Sequence, residues 1–286
     1  MKISFIGGDR RSVYAASLLA RRAEVRTYGL PAPAPCPVTS LYAATAGAEA
    51  VILPLPVTRD GIFPRFAPDC GVAPPSFSVL FSRMEEEALL LGGAVPASLA
   101  EQARAAGLDF TDYYTGERIL GNTARATAEG AISLAISETP FVLEDCPVTV
   151  IGFGQIAQAL LPRLLAFSAR VTVIARSEEA RRQAHGMGAE VLACSDGCLP
   201  LPQDTRILFN TAPAPLLDAA ALDRLTADCV ILDLAGGALD TSAADARGIR
   251  HPNALALPGK FSPESAGRAL FEEILFHIAT KRGIRL

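Results

Sequence analysis

The chain has 286 residues, half of them apolar, with a formal net charge of −4. That length favours two domains over one core, and the acidic balance excludes phosphate-backbone binding as the main task, so no nucleic acid is expected as a partner. No apolar run reaches the roughly 18 residues of a membrane span, and the opening Lys2-Ile3-Ser4-Phe5-Ile6 lacks the features of a signal peptide, so a cytoplasmic enzyme away from membranes is expected.

The first 115 residues alternate short apolar strands with helices. Strands are predicted at Ile3 to Ile6, Glu24 to Tyr28, Ala50 to Leu53, Ala88 to Leu91 and Leu108 to Phe110, with helices at Arg11 to Arg22 and Ala97 to Ala106. Such alternation means a parallel sheet covered on both faces. The Pro-rich stretches Pro31 to Pro37 and Pro64 to Pro75 are loops over strand ends. Glu117 to Glu138 is one long helical pattern with an apolar stripe at Leu120, Ala124, Ala128, Ala131 and Ala135, stopped by Pro140. Its opposite stripe, Asn122, Arg125, Glu129 and Ser133, is polar and faces either solvent or a cleft.

A second alternation follows, with strands at Pro147 to Ile151, Arg170 to Ala175, Ile207 to Phe209 and Val230 to Asp233. Helices are predicted at Ile156 to Phe167 and Glu178 to Met187. The segment Leu257-Pro258-Gly259-Lys260 reads as a loop. The last helix starts with Ser262 as N-cap and Pro263 at N1, and Lys281-Arg282-Gly283 suits its end. The predicted fold is α/β: two Rossmann-like, doubly wound parallel-sheet domains joined by a long helix, with a cleft between them. The boundaries are 1–120 for a substrate domain and 121–286 for a dinucleotide-binding domain. The closing helix, 263–286, can cross back onto the first.

Chemistry is concentrated in a few motifs. Gly152-Phe153-Gly154-Gln155-Ile156-Ala157 lies between a strand and a helix, the setting of a dinucleotide fingerprint. The first glycine permits the turn, the second lets a pyrophosphate approach the helix N-terminus, and Ala157 allows close helix–strand packing. The next strand ends in Arg176-Ser177, with no acidic residue to hold a ribose 2′-hydroxyl. A guanidinium and a hydroxyl there suit a 2′-phosphate, so NADP is favoured over NAD. Asn210-Thr211-Ala212-Pro213 and Leu234-Ala235 end later strands and would border the same site.

In the first domain, Asp9-Arg10-Arg11 follows the first strand and Arg59-Asp60 the third, where arginines could grip a substrate carboxylate. The six cysteines are scattered and only Cys194 and Cys198 are near each other, so reduced thiols and no metal site are expected. No Ser-His-Asp arrangement or nucleophile elbow is present.

Taken in order, the motifs resemble the A-subunit of dipicolinate synthase. The matching features are Gly7-Gly8-Asp9-x-Arg11, Pro54-Leu55-Pro56 with Asp60-Gly61, Thr127-Ala128-Glu129-Gly130-Ala131-Ile132, Gly152-Phe153-Gly154, Asn210-Thr211-Ala212-Pro213, Asp233-Leu234-Ala235 and Leu257-Pro258-Gly259-Lys260 leading to Ala266-Gly267. Where that family tends to have a Pro-Gly-Gly turn, this chain has Gly236-Gly237-Ala238. The resemblance implies a sporulation enzyme that oxidises a dihydrodipicolinate-type product of the lysine pathway to dipicolinate with NADP. It also implies, as partner, the flavoprotein-like B-subunit of dipicolinate synthase. Under that reading the small dicarboxylate substrate meets Arg10, Arg11, Arg59, Arg118 and Lys260, and Glu129 or Asp60 removes a proton. Two rivals stand beside it: another NADP-dependent two-domain dehydrogenase, and a non-catalytic NADP-binding protein. Oligomeric state stays open, a homo-oligomer included.

Overall fold

The computed structural model describes residues 1–195, 199–284 and 286. In chain order its elements are β1 (Lys2–Ile6), α1 (Arg10–Leu19), β2 (Glu24–Tyr28), α2 (Leu41–Thr45), β3 (Ala50–Ile52), α3 (Phe77–Phe81), β4 (Leu89–Gly92), α4 (Ala97–Ala105), β5 (Phe110–Asp112) and α5 (Glu117–Glu138). They continue with β6 (Pro147–Ile151), α6 (Gln155–Ala166), β7 (Arg170–Ala175), α7 (Glu178–Gly186), β8 (Glu190–Ala193), β9 (Ile207–Asn210), α8 (Ala219–Leu222), β10 (Val230–Asp233), α9 (Thr241–Ala246), α10 (Leu257–Phe261) and α11 (Pro263–Arg282). One compact unit comprises residues 1–122 and 262–286; the other comprises residues 123–261.

The first unit holds a sheet of order β2-β1-β3-β4-β5, parallel throughout. Its inner strands β1, β3 and β4 read as largely apolar runs because both faces are buried. Ile3, Phe5, Ile52 and Leu91 pack to one side, and Ile6, Val51 and Leu90 to the other. On the first side, α1 and α11 approach closely over Gly267, where an added Cβ would lie 2.5 Å from Tyr14 Cβ and 2.7 Å from the Arg11 carbonyl.

The second unit holds a parallel sheet of order β10-β9-β6-β7-β8. Ile207, Phe209, Val148 and Val150 face one layer, which α5 covers with Ala128, Ala131, Ile132 and Ala135. Leu208 and Ile231 face the other. Between the layers Thr149 and Thr205 satisfy each other at 2.8 Å, so their buried hydroxyls carry no desolvation penalty.

Strand order fixes where a ligand can enter. Counted within its own sheet, the second unit runs 3-2-1-4-5 when read from the other edge as β10-β9-β6-β7-β8 is ordered about β6, and the first runs 2-1-3-4-5. In such sheets the crossover connections part at a switch point, leaving a crevice at the carboxyl ends of the two strands there. Those strands are β6 and β9 in the second unit, and β1 and β3 in the first.

Several local features differ from the sequence reading. The one-turn helices α2, α3, α8 and α9 have no span long enough for a helical period, but Ser40, Ser76, Asp218 and Asp240 cap them by accepting from the backbone N–H three residues on. The edge strand β8 is too exposed for an apolar run, and β5 lies two residues later than expected. The Leu257-Pro258-Gly259-Lys260 segment is helical, not a loop. Ser262 stands at the N-cap of α11 without a side-chain capping bond; Pro263, which has no N–H to satisfy, starts the helix. On α5 it is Ile119 that is buried, with Leu120 only partly covered. Cys36, Cys70, Cys146 and Cys229 are free thiols, and Cys198, the near neighbour of Cys194, lies outside the described residues. Among the described residues no helix is long and apolar enough to cross a membrane.

The α1–α11 approach predicts a pair of opposite outcomes. Gly267→Ala should lower stability by about 1–3 kcal/mol through overpacking. Gly186→Ala in α7, where a Cβ meets nothing within 4 Å, should leave stability unchanged or raise it by about 0.5–1 kcal/mol. Urea denaturation of both variants checks this, and an unchanged Gly267→Ala protein would contradict it.

Candidate functional site

The carboxyl end of β6 turns at Gly152, whose φ of +86° is open to glycine and strained for other residues. A Cβ there would also come within 2.7 Å of Thr211 Oγ1. Gly154 differs: its backbone is extended, and a Cβ would meet nothing within 4 Å. It is the N-cap of α6 and supplies no side-chain cap, so the first N–H groups of the helix, Gln155 and Ile156 among them, are not satisfied by a capping side chain. The α6 N-terminus thus presents positive partial charge at an open position. Ala157 is fully buried beneath, where its small side chain lets α6 sit close to the sheet.

A cavity of about 390 Å³ extends from this turn along the ends of β7 and β9. Gly152, Phe153, Arg176, Ser177, Ala212 and Pro213 line it. Ser177 Oγ accepts from Ala180 N at 3.1 Å as the cap of α7, which leaves its hydroxyl proton free to be donated. Arg176 is exposed at the rim, and among the described residues it makes no ion pair. Glu178 and Glu179, at the start of α7, both face Arg182, at 3.8 and 3.0 Å, so their charge is partly compensated. The turn itself is clamped by Arg181, which donates to the Ala175 and Arg176 carbonyls at 2.8 and 2.5 Å. No acidic side chain stands at the end of β7. An open helix N-terminus, a guanidinium and a hydroxyl thus stand together at the ends of β6 and β7, donors of the kind that phosphate groups take.

The remaining residues expected here divide into lining and support. Asn210 is fully buried and donates to Asp233 Oδ1 at 2.7 Å and to the Ala212 carbonyl at 3.1 Å. It therefore ties β9 to β10 and does not face the cavity. Thr211 Oγ1 donates to the Ile151 carbonyl at 2.8 Å, holding the adjacent turn against β6. Leu234 packs into the core, and Ala235 is half-buried beside it. Asp233, which was not among the expected cofactor contacts, accepts from Gly236 N and Ala238 N and so fixes the turn after β10.

Glu129 is exposed on α5 and pairs with Arg163 at 2.8 Å. Helix α5 meets α10 at Gly130, whose missing Cβ would lie 2.9 Å from Leu257 Cβ. Lys260, on α10, donates to the Asn253 carbonyl at 3.3 Å. Glu129 and Lys260 are therefore carried by two helices in direct contact.

In the first unit the arrangement departs from expectation. Arg11 is buried, donates to both Asp9 carboxylate oxygens with its shortest contact at 2.8 Å, and also donates to the Leu55 carbonyl. With those donors occupied it organises the strand ends rather than presenting itself to a ligand. Burial alone would raise the Asp9 pKa, but the hydrogen bond and charge of Arg11, with Arg65 behind them, hold it below the usual carboxylate value. Arg65, which the sequence reading left inside a Pro-rich loop, reaches the same carboxylate at 3.4 Å. Asp60 is withdrawn as a proton acceptor. Its Oδ1 accepts from Ile62 N and Phe63 N, and those hydrogen bonds hold its pKa below the ordinary carboxylate value. Arg118 pairs with Glu272 on the surface. Arg10 lines a separate groove with Tyr14, Arg21, Glu264 and Arg268, and Arg59 is exposed.

Comparison with known proteins bears on the whole chain. Residues 2–114 match the family model for the N-terminal domain of the dipicolinate synthase A-subunit. The dipicolinate synthase A-subunit of Bacillus subtilis (strain 168) is 32% identical over 162 residues, a match spanning 55% of this chain and only 54% of that relative. The crystal structure of the dipicolinate synthase A-subunit from Bacillus halodurans superposes with a TM-score of 0.82 at 22% identity, covering 97% of each chain. The apo-structure of D-lactate dehydrogenase from Escherichia coli shares the fold at a TM-score of 0.68 and 16% identity, covering 99% of this chain and 98% of that one. Residues 2–114 thus resemble the N-terminal domain of the dipicolinate synthase A-subunit, and the chain as a whole shares that A-subunit's fold.

Proposed function

We propose that the chain is an NADP-dependent oxidoreductase that oxidises a dihydrodipicolinate-type dicarboxylate to dipicolinate. In this reading it acts during sporulation together with a flavoprotein-like B-subunit. The observation that carries the cofactor half is the open α6 N-terminus next to Arg176 and Ser177. The substrate half is supported by the family match over residues 2–114 and by the arginine-rich ends of β1 and β3.

NADP, when bound, supplies the hydride acceptor. The N–H groups of Gln155 and Ile156 would hold its pyrophosphate, and Arg176 with Ser177 would hold its 2′-phosphate. Ala212 and Pro213 bound the site from the β9 side. Oxidation to the aromatic ring would require the substrate to give up a hydride and a proton, and aromatisation would favour that direction. The chain's task is then mainly to orient the ring. With Asp60 withdrawn, Glu129 is the proton acceptor, and Lys260 on the adjoining helix is a cation for a substrate carboxylate.

The direct test is a turnover assay with the protein, NADP and freshly generated dihydrodipicolinate, with and without the B-subunit. NADPH and dipicolinate should appear together. NADP binding without any reduction in either mixture would overturn the enzymatic reading in favour of a cofactor-binding protein. A second test separates binding from folding. Because Gly154 faces open space, Gly154→Val should leave the fold intact, costing no more than a weaker helix cap of about 1 kcal/mol. It should nevertheless weaken NADP binding about tenfold or more by obstructing the pyrophosphate. Unchanged NADP affinity in a folded variant would contradict the assigned cradle.

A further inference from the structure

In the first unit, the switch-point crevice between β1 and β3 is formed by the segment after β1, Gly7 to Arg11, and by the excursion from Leu55 to Phe66 after β3. Three backbone features close that excursion onto β1. Gly8 N donates to the Arg65 carbonyl at 2.8 Å, Arg65 N donates to the Val57 carbonyl at 3.0 Å, and a Cβ on Gly7 would lie 2.7 Å from both the Arg65 carbonyl oxygen and the Phe66 ring. Gly7-Gly8 therefore makes room for Arg65 and Phe66, which gives the motif a purpose other than nucleotide binding. Arg65 is held at its backbone on both sides and at its guanidinium, which donates to the Leu55 carbonyl at 3.2 Å and to Asp9 Oδ2 at 3.4 Å.

The charges around it do not balance. Asp9 is engaged more closely by Arg11, at 2.8 Å, than by Arg65. Burial pushes the Arg65 pKa down; Asp9 opposes this, but Arg11 and Arg59 push it down further. Two guanidiniums, those of Arg11 and Arg65, thus share one carboxylate at the position where a parallel sheet receives its ligand. Of the two, Arg65 is the more open, its side chain 14% exposed against 8% for Arg11, and it combines a fixed backbone with donors left over from its two contacts.

We infer that Arg65 is the group that binds a carboxylate of the substrate, and that Asp9 and Arg11 are positioning residues that aim it. The inference rests on the proposed dicarboxylate substrate. It reassigns the main contact from Arg11 to a residue that sequence alone left in a loop. A planar guanidinium can meet a carboxylate with two parallel N–H donors, which an ammonium cannot, so arginine is required at this position.

The test is calorimetric titration of pyridine-2,6-dicarboxylate into the NADP-saturated protein, for wild type, Arg65→Lys and Arg65→Ala, with glutarate as a second probe. Wild type should bind pyridine-2,6-dicarboxylate, and Arg65→Ala should weaken it about 30-fold or more. Arg65→Lys should weaken it about tenfold while keeping the wild-type unfolding temperature, so the lysine variant decides the matter if the alanine variant does not fold. Wild-type affinity in either folded variant overturns the inference, as does a wild-type protein that binds neither probe. Arg65-dependent binding of glutarate without pyridine-2,6-dicarboxylate would uphold the carboxylate site and overturn the proposed substrate.

Discussion

Parallel pairing forces every strand of a sheet to end at the same edge, and each crossover helix to begin there. In the second unit that edge collects Gly152, the α6 N-terminus, Arg176 and Ala212; in the first it collects Asp9, Arg11, Leu55 and Arg65. Strand order then selects one crevice in each unit, and the glycines decide how near a ligand or a loop can come. Gly152 is required by its positive φ and by Thr211, Gly154 keeps the helix end open, and Gly7 and Gly8 admit the Arg65–Phe66 segment. The same residue type serves turn, cradle and packing, and its surroundings distinguish the three.

The two crevices differ in electrostatics. The crevice in the second unit relies on backbone N–H groups, a rim arginine without an ion pair among the described residues, and a hydroxyl, with the nearby glutamates drawn to Arg182. In the first unit the charges are crowded side chains, with Asp9 shared between the Arg11 and Arg65 guanidiniums. Bringing in a carboxylate would relieve that crowding. The same crowding explains the role of Arg11, which is committed to Asp9 and the Leu55 carbonyl and so fixes the frame in which Arg65 acts.

Most strands and the longer helices were legible because burial on both faces writes continuous apolar runs into β1, β3, β4, β6 and β9. The Gly-x-Gly-x-x-Ala turn was legible from its strand–helix context. Asp60 followed by Gly61 carries an ordinary turn signature, and the carboxylate proves to be spent on that turn. Arg65 was not legible, because its placement depends on a hydrogen bond to Gly8, 57 positions earlier, and on a chain excursion without its own secondary structure. Asn210 looked outward from its strand end, yet Asp233, 23 residues on, draws it inside. Side-chain pairs of this kind settle which polar residues face a ligand, and no local pattern records them.

The central claim is that the end of β7 is built for a 2′-phosphate. The measurement that tests it most directly is a pair of equilibrium titrations of the wild-type protein, one with NADP and one with NAD, in the same buffer. The arrangement of Arg176 and Ser177 predicts tighter binding of NADP by about tenfold or more, with the difference shrinking as salt is added. Equal affinities, or a preference for NAD, would contradict it.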